Sequence, residues 1–89
     1  MAWTIEFTES ATRQLEKLDR AVASRIRKFL IDRVAPLEKP RSLGKALKGE
    51  RFGELWKYRV GDYRLIAKIE DARIAILIVS IGHRREVYR

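Results

Sequence analysis

The chain holds no cysteine and a single histidine in 89 residues. Disulfide staples and thiolate metal sites are therefore excluded, and the absence of cysteine fits an intracellular home. One histidine cannot build a zinc centre, and the carboxylates nowhere gather at metal-binding spacing, so no metal or other cofactor is expected. Long apolar runs are missing too. The longest, Ile74 to Val79, is far short of the ~20 residues of a membrane helix. The opening MAWTIEFTES has neither the basic start nor the apolar stretch of a secretory signal. These absences lead us to expect a soluble, cytoplasmic protein with no membrane partner. Its length suits one domain, residues 1–89, with one modest core.

Positive charge, by contrast, is abundant. Twenty Lys and Arg face twelve Asp and Glu, for a net charge of +8 and a pI near 10.3. Such an excess repels itself unless a polyanion answers it.

The pattern along the chain alternates between two periods. Trp3, Ile5 and Phe7 recur every second residue, which predicts a strand with one buried face. Thr8 and Asp19 are N-cap residues for two amphipathic helices spanning residues 9 to 35, jointed at about Leu18 to Ala21. Ala11, Leu15 and Leu18 stripe the first helix. Val22, Ile26, Phe29, Leu30 and Val34 stripe the second, and Pro36 ends it. APLEKPRSLGKALKGE carries both prolines and reads as a connection with a helical turn at its middle. Three strands follow: ELWKYRV, then YRLIAKIE after a Gly-Asp hairpin turn, then IAILIVSI. The last is apolar on both faces, which predicts a central strand covered on both sides. The expected fold is α+β, in the order β-α-α-β-β-β, with a two-helix hairpin packed on one face of a four-stranded, mostly antiparallel, twisted sheet.

Charge on the helices is mixed in sign and reads as a solvated outer face. Strand charge is different. With Trp56, Tyr58 and Val60 turned to the core, Lys57 and Arg59 must face the other way. Arg64 and Lys68 oppose the apolar Tyr63, Leu65, Ala67 and Ile69. These cations collect on the uncovered sheet face, and Arg84, Arg85 and Tyr88 follow the last strand near the same rim. Cations on neighbouring strands with an aromatic close by suit a phosphate-binding surface with a stacking platform. Gly82 is expected to turn the chain there, so that Arg84 and Tyr88 reach a bound nucleotide. Ser10, Ser24, Ser42 and Ser80 show no His–acid setting for a hydrolase triad. Metal-free phosphoryl chemistry on RNA remains, in which the ribose 2′-hydroxyl is the nucleophile. The protein must then align it, remove its proton and stabilise a dianionic phosphorane.

The order of elements, the stretch YRVGDYRLIAKIED and the ending VSIGHRREVYR resemble the RelE branch of the RelE/ParE toxin superfamily, and FTESATRQLEKLD is similar to its usual opening. The resemblance spans nearly the whole chain. It implies a toxin of a type II toxin–antitoxin system, neutralised by a cognate acidic antitoxin. The implied activity is a metal-independent mRNA endoribonuclease that acts in the ribosomal A site, inhibits translation and leaves a cyclic phosphate. Operator DNA would be met only through the antitoxin complex. By motif match the implied catalytic residues are Lys57, Arg64, Arg84 and Tyr88. Arg64 and Lys57 would hold the phosphate, Arg84 would assist the leaving oxygen and Tyr88 would stack on a base. Lys57 or His83 would take the 2′-hydroxyl proton. Arg59, Lys68, Arg85, Lys45 and Lys48 would bind RNA. Leu55 stands where RelE carries a second lysine, and with the chain ending at Arg89 no further C-terminal helix is expected. The alternative within the superfamily is a ParE-like inhibitor of DNA gyrase without nuclease activity.

Overall fold

Side-chain chemistry at single positions starts and stops the helices. The computed structural model of the protein describes residues 2–47 and 55–83. Strand β1 (Thr4–Phe7) leads to Thr8, whose Oγ1 accepts from the Ala11 amide at 3.1 Å and caps α1 (Glu9–Glu16). Glu9 in the first turn complements the helix dipole. Asp19 caps α2 (Arg20–Phe29) by accepting from the Ala21 amide at 3.2 Å. The second helix widens at its end into a π turn, Leu30–Val34, closed by the Ala35 amide donating to the Leu30 carbonyl at 2.8 Å. Leu30 and Val34 are both fully buried, so the wider turn keeps the apolar stripe on the core before Pro36. A 3₁₀ turn, Pro40–Ser42, stands in the connection.

After it comes an element the sequence pattern does not show. Lys45–Ala46 forms a two-residue strand, β2, antiparallel to β3 (Leu55–Val60). With β4 (Tyr63–Glu70) and β5 (Ala75–His83) the sheet therefore has five strands, not four, in the order β1-β5-β4-β3-β2. β1 runs parallel to β5 and every other pairing is antiparallel. Two residues are too few to carry a period, so β2 is specified by its partner.

The core lies between the helices and one sheet face. Ala11, Leu15, Ala23, Ile26, Leu30 and Val34 meet Tyr58, Val60, Leu65, Ala67, Ile76, Ile78 and Ile81. β5 is not covered on both sides as expected. It lies between β1 and β4, and on its second face Leu77 and Val79 are only half-buried. Gly61 opens the β3–β4 hairpin with φ +59°, a conformation that favours glycine and suits a two-residue turn. Among the described residues no helix is long and apolar enough to cross a membrane.

Candidate anion-binding face

Residues directly opposite one another on neighbouring strands share a face, with Cβ atoms about 4.5–5.5 Å apart. β3 and β4 set Lys57 opposite Ile66, Arg59 opposite Arg64 and Leu55 opposite Lys68. β2 sets Lys45 opposite Lys57. Lys45, Lys57, Arg59, Arg64 and Lys68 thus stand on one sheet face, the one the helices leave uncovered. Two of these juxtapositions, Lys45–Lys57 and Arg59–Arg64, oppose like charges directly, which destabilises a sheet.

Arg64 sharpens the point. Its position on this face is as expected, but it is buried, with 7% of its surface exposed. Ile66 beside it is also buried. Among the described residues no carboxylate pairs with Arg64. Its guanidinium makes one long hydrogen bond, Nη1 to the Tyr63 carbonyl at 3.4 Å. A buried cation with so little compensation is costly, and an anion that enters the face lowers that cost.

Next to Arg64 lies a cleft of about 220 Å³ lined by Leu43, Gly44, Lys45, Lys57 and Arg59. Its wall is built tightly. A Cβ on Gly44 would lie 2.4 Å from the Trp56 ring and 2.6 Å from the Lys57 carbonyl, so only glycine lets the connection approach β3 this closely. The same connection is tied down elsewhere. The Tyr58 hydroxyl donates to the Pro40 carbonyl at 2.7 Å, and Arg41 makes a two-pronged ion pair with Asp71, both contacts 2.9 Å. Arg41 also sits over the Trp56 ring, 5.9 Å from its centroid. The hydrogen bonds from Arg41 hold the Asp71 carboxyl below its ordinary range. Burial pushes the Tyr58 phenol up to about 12, with Arg41 pulling the other way.

His83 is set apart from this cluster. It pairs with Tyr63, on the helix-covered face, and the two rings meet edge-on at 5.7 Å. The cause is a bulge. Ile66 pairs with Ser80 but Ala67 with Ile78, so Val79 is an extra residue in β5. One extra residue flips every later side chain to the other face. Ile81 then enters the core and His83 follows it, whereas strict alternation would have put His83 among the cations. Gln14 secures the irregularity, its Oε1 accepting from the Ile81 amide at 2.7 Å. Gly82, expected to turn the chain, instead lies within β5 opposite Arg64. Arg84, Arg85, Tyr88 and Lys48 lie outside the described residues. Lys45, expected to bind RNA, lines the cleft, and Gly44 is a part of it that the sequence reading did not single out. The signal available was a glycine followed directly by a lysine in the connection.

The fold and face together define a class: a small α+β protein with a helix pair on one side of its sheet and a cluster of cations on the other. Residues 5–88 match the family described as the ParE toxin of type II toxin-antitoxin system, parDE, and the chain belongs to that family, as a RelE-like toxin of the superfamily. It is 32% identical to Toxin RelG of Mycobacterium tuberculosis over 100% of this chain and 99% of the relative. It is 31% identical to the mRNA interferase toxin RelE of Escherichia coli, over 99% and 92% respectively. In three dimensions it is similar to the RelBE2 toxin–antitoxin complex of M. tuberculosis, with a TM-score of 0.84, 28% identity and coverage of 97% of this chain and 95% of that one. A mutant of E. coli RelE bound to an antitoxin RelBc peptide matches with a TM-score of 0.71, 26% identity and coverage of 99% and 92%.

Proposed function

We propose that this RelE-like toxin cuts mRNA, held in the ribosomal A site, through attack by the ribose 2′-hydroxyl on the adjacent phosphate. The observation that carries the reading is the placement of Lys45, Lys57, Arg59 and the buried Arg64 on one open sheet face, with like charges set opposite one another. A phosphate passing to a phosphorane gains negative charge, and fixed cations favour that change. Arg64 and Lys57 stabilise the phosphorane. Lys57 accepts the 2′-hydroxyl proton, since His83 stands on the other face. The 2′-oxygen bonds to phosphorus as the bond to the 5′-oxygen breaks, and that oxygen takes a proton from solvent water as it leaves. Arg84 assists it and Tyr88 stacks on a base, both roles resting on the resemblance. Lys68 and Arg59 extend the contact with the backbone. Among the described residues no group of three or more metal-ligating side chains converges, and the proposed steps need none.

The partner implied by the relatives is a cognate antitoxin. An apolar groove of about 410 Å³ between β1 and α2, lined by Trp3, Ile5, Phe7, Leu30 and Ile31, suits the apolar anchors of such a protein. Operator DNA would be met only through that complex.

The test is cleavage of mRNA on programmed ribosomes in EDTA, with a normal substrate and one carrying a 2′-deoxy sugar at the cut site. The normal substrate should be cut and the deoxy substrate spared. Cutting of the deoxy substrate removes the internal-nucleophile mechanism. Cutting of neither favours the ParE-like gyrase reading.

A further inference from the structure

A second cationic cleft lies around the edge of the sheet from the first. It measures about 420 Å³ and is lined by Arg25, Lys28, Asp32, Arg33 and Arg59, with Phe29, Val60 and Gly61 at its base. Arg59 lines both clefts. The reason is local: β2 pairs with β3 only at Trp56 and Lys57, so at Arg59 the β3 edge has no outer neighbour among the described pairings. A long side chain there serves either side of the edge.

Sequence alone reads the α2 charges as a mixed, solvated surface. The fold sorts them. On this side of the helix four cations meet one carboxylate, Asp32, and among the described residues none of Arg25, Lys28, Arg33 or Arg59 makes an ion pair. The Arg25 guanidinium lies close to the hairpin turn: a Cβ on Gly61 would stand 3.1 Å from its Nη2.

We infer that this cleft is a second backbone subsite, which takes phosphates of the same RNA strand beyond those on the sheet face, with Arg59 as the link between the two. The inference rests on the RNA reading above. Single-stranded RNA is favoured over an acidic protein segment by the lining. Five of the side chains that line the cleft are charged, Arg25, Lys28, Asp32, Arg33 and Arg59, whereas the β1–α2 groove is lined mainly by apolar side chains and is where a protein would find its anchors. Backbone recognition of this kind is sequence-independent and strongly dependent on salt.

The experiment compares the wild type with Lys28→Gln/Arg33→Gln, and with a control, Arg20→Gln/Arg27→Gln, which removes the same charge from α2 away from the cleft. The probes are a labelled dodecanucleotide RNA and an unlabelled trinucleotide competitor, each with a 2′-deoxy sugar at the cut site to prevent turnover. For the cleft variant the dodecanucleotide Kd should rise about 10- to 30-fold, and the salt slope should fall by about 1.4, two single-strand contacts' worth. The trinucleotide affinity should not move, and the control should bind both probes as the wild type does. An unchanged dodecanucleotide affinity overturns the inference. So does an equal loss on both probes or in the control, which would mark a general charge effect. Loss of affinity for an antitoxin with RNA binding intact overturns it in favour of a protein site. Wild-type protein that binds neither probe overturns the second subsite, whereas the RNA reading itself stands or falls with the cleavage of ribosome-held mRNA described above.

Discussion

Arg64 carries a charge into the middle strand of the sheet, directly opposite another arginine and with little of its surface in water. Burial of that kind raises the local cost of the fold and lowers the cost of holding an anion. Lys57, half-buried beside it, belongs to the same face, and His83 does not. The two residues therefore give opposite expectations. Lys57→Ala should lower the single-turnover cleavage rate about 10²–10³-fold, the usual cost of removing one preorganised donor. His83→Ala should cut at close to the wild-type rate. A large loss in the His83 variant would show that the imidazole reaches the substrate after all. Tyr58 makes a separate, structural prediction. Its folded value of about 12 lies above the ordinary phenol value of 10, so its contribution to stability is complete below pH 10. It is lost as pH rises from 10 through about 12, because the unfolded chain releases the proton first. Tyr58→Phe should lose about 1 kcal/mol at neutral pH with the bond to Pro40, and should show less decline above pH 10. Urea titrations of both proteins at neutral and alkaline pH measure this.

Elements place these residues more than their own propensities do. The connection between α2 and β3 is fastened at three points, by Tyr58 on Pro40, Arg41 on Asp71 and β2 on β3. At Gly44 it comes so near β3 that Gly44→Ala must push it away from Trp56 and the Lys57 carbonyl. We expect that variant to lose about 1–3 kcal/mol of stability and to lose cleavage beyond what its folded fraction explains, since Lys45 moves with the connection. An intact rate in the folded fraction would place Lys45 outside the site. The caps at Thr8 and Asp19 were legible in the sequence because one side chain accepting one amide decides them. The face of Lys57 and Arg59 was legible because the alternation of β3 is unbroken. β2 was not, since its two residues carry no pattern. Nor was the side taken by His83, since the bulge at Val79 is settled by contacts from Gln14 and the core, far away in the chain.

At the scale of the whole molecule, the fold gathers Arg25, Lys28, Arg33, Lys45, Lys57 and Arg59 at two adjoining clefts, while apolar surface collects at the β1–α2 groove on another side. Composition led us to expect a polyanionic partner, and strand period put Lys57, Arg59, Arg64 and Lys68 on one sheet face, where the fold has them. Neither showed that Arg64 would be buried, or that α2 would join the cationic surface, because both follow from how the layers pack. The most direct measurement is single-turnover cleavage of ribosome-held mRNA by Arg64→Ala, with its fold checked by thermal unfolding. A folded variant should cut about 10²–10³-fold more slowly than the wild type. A folded variant that cuts at the wild-type rate would contradict the assignment of this sheet face as the phosphate site.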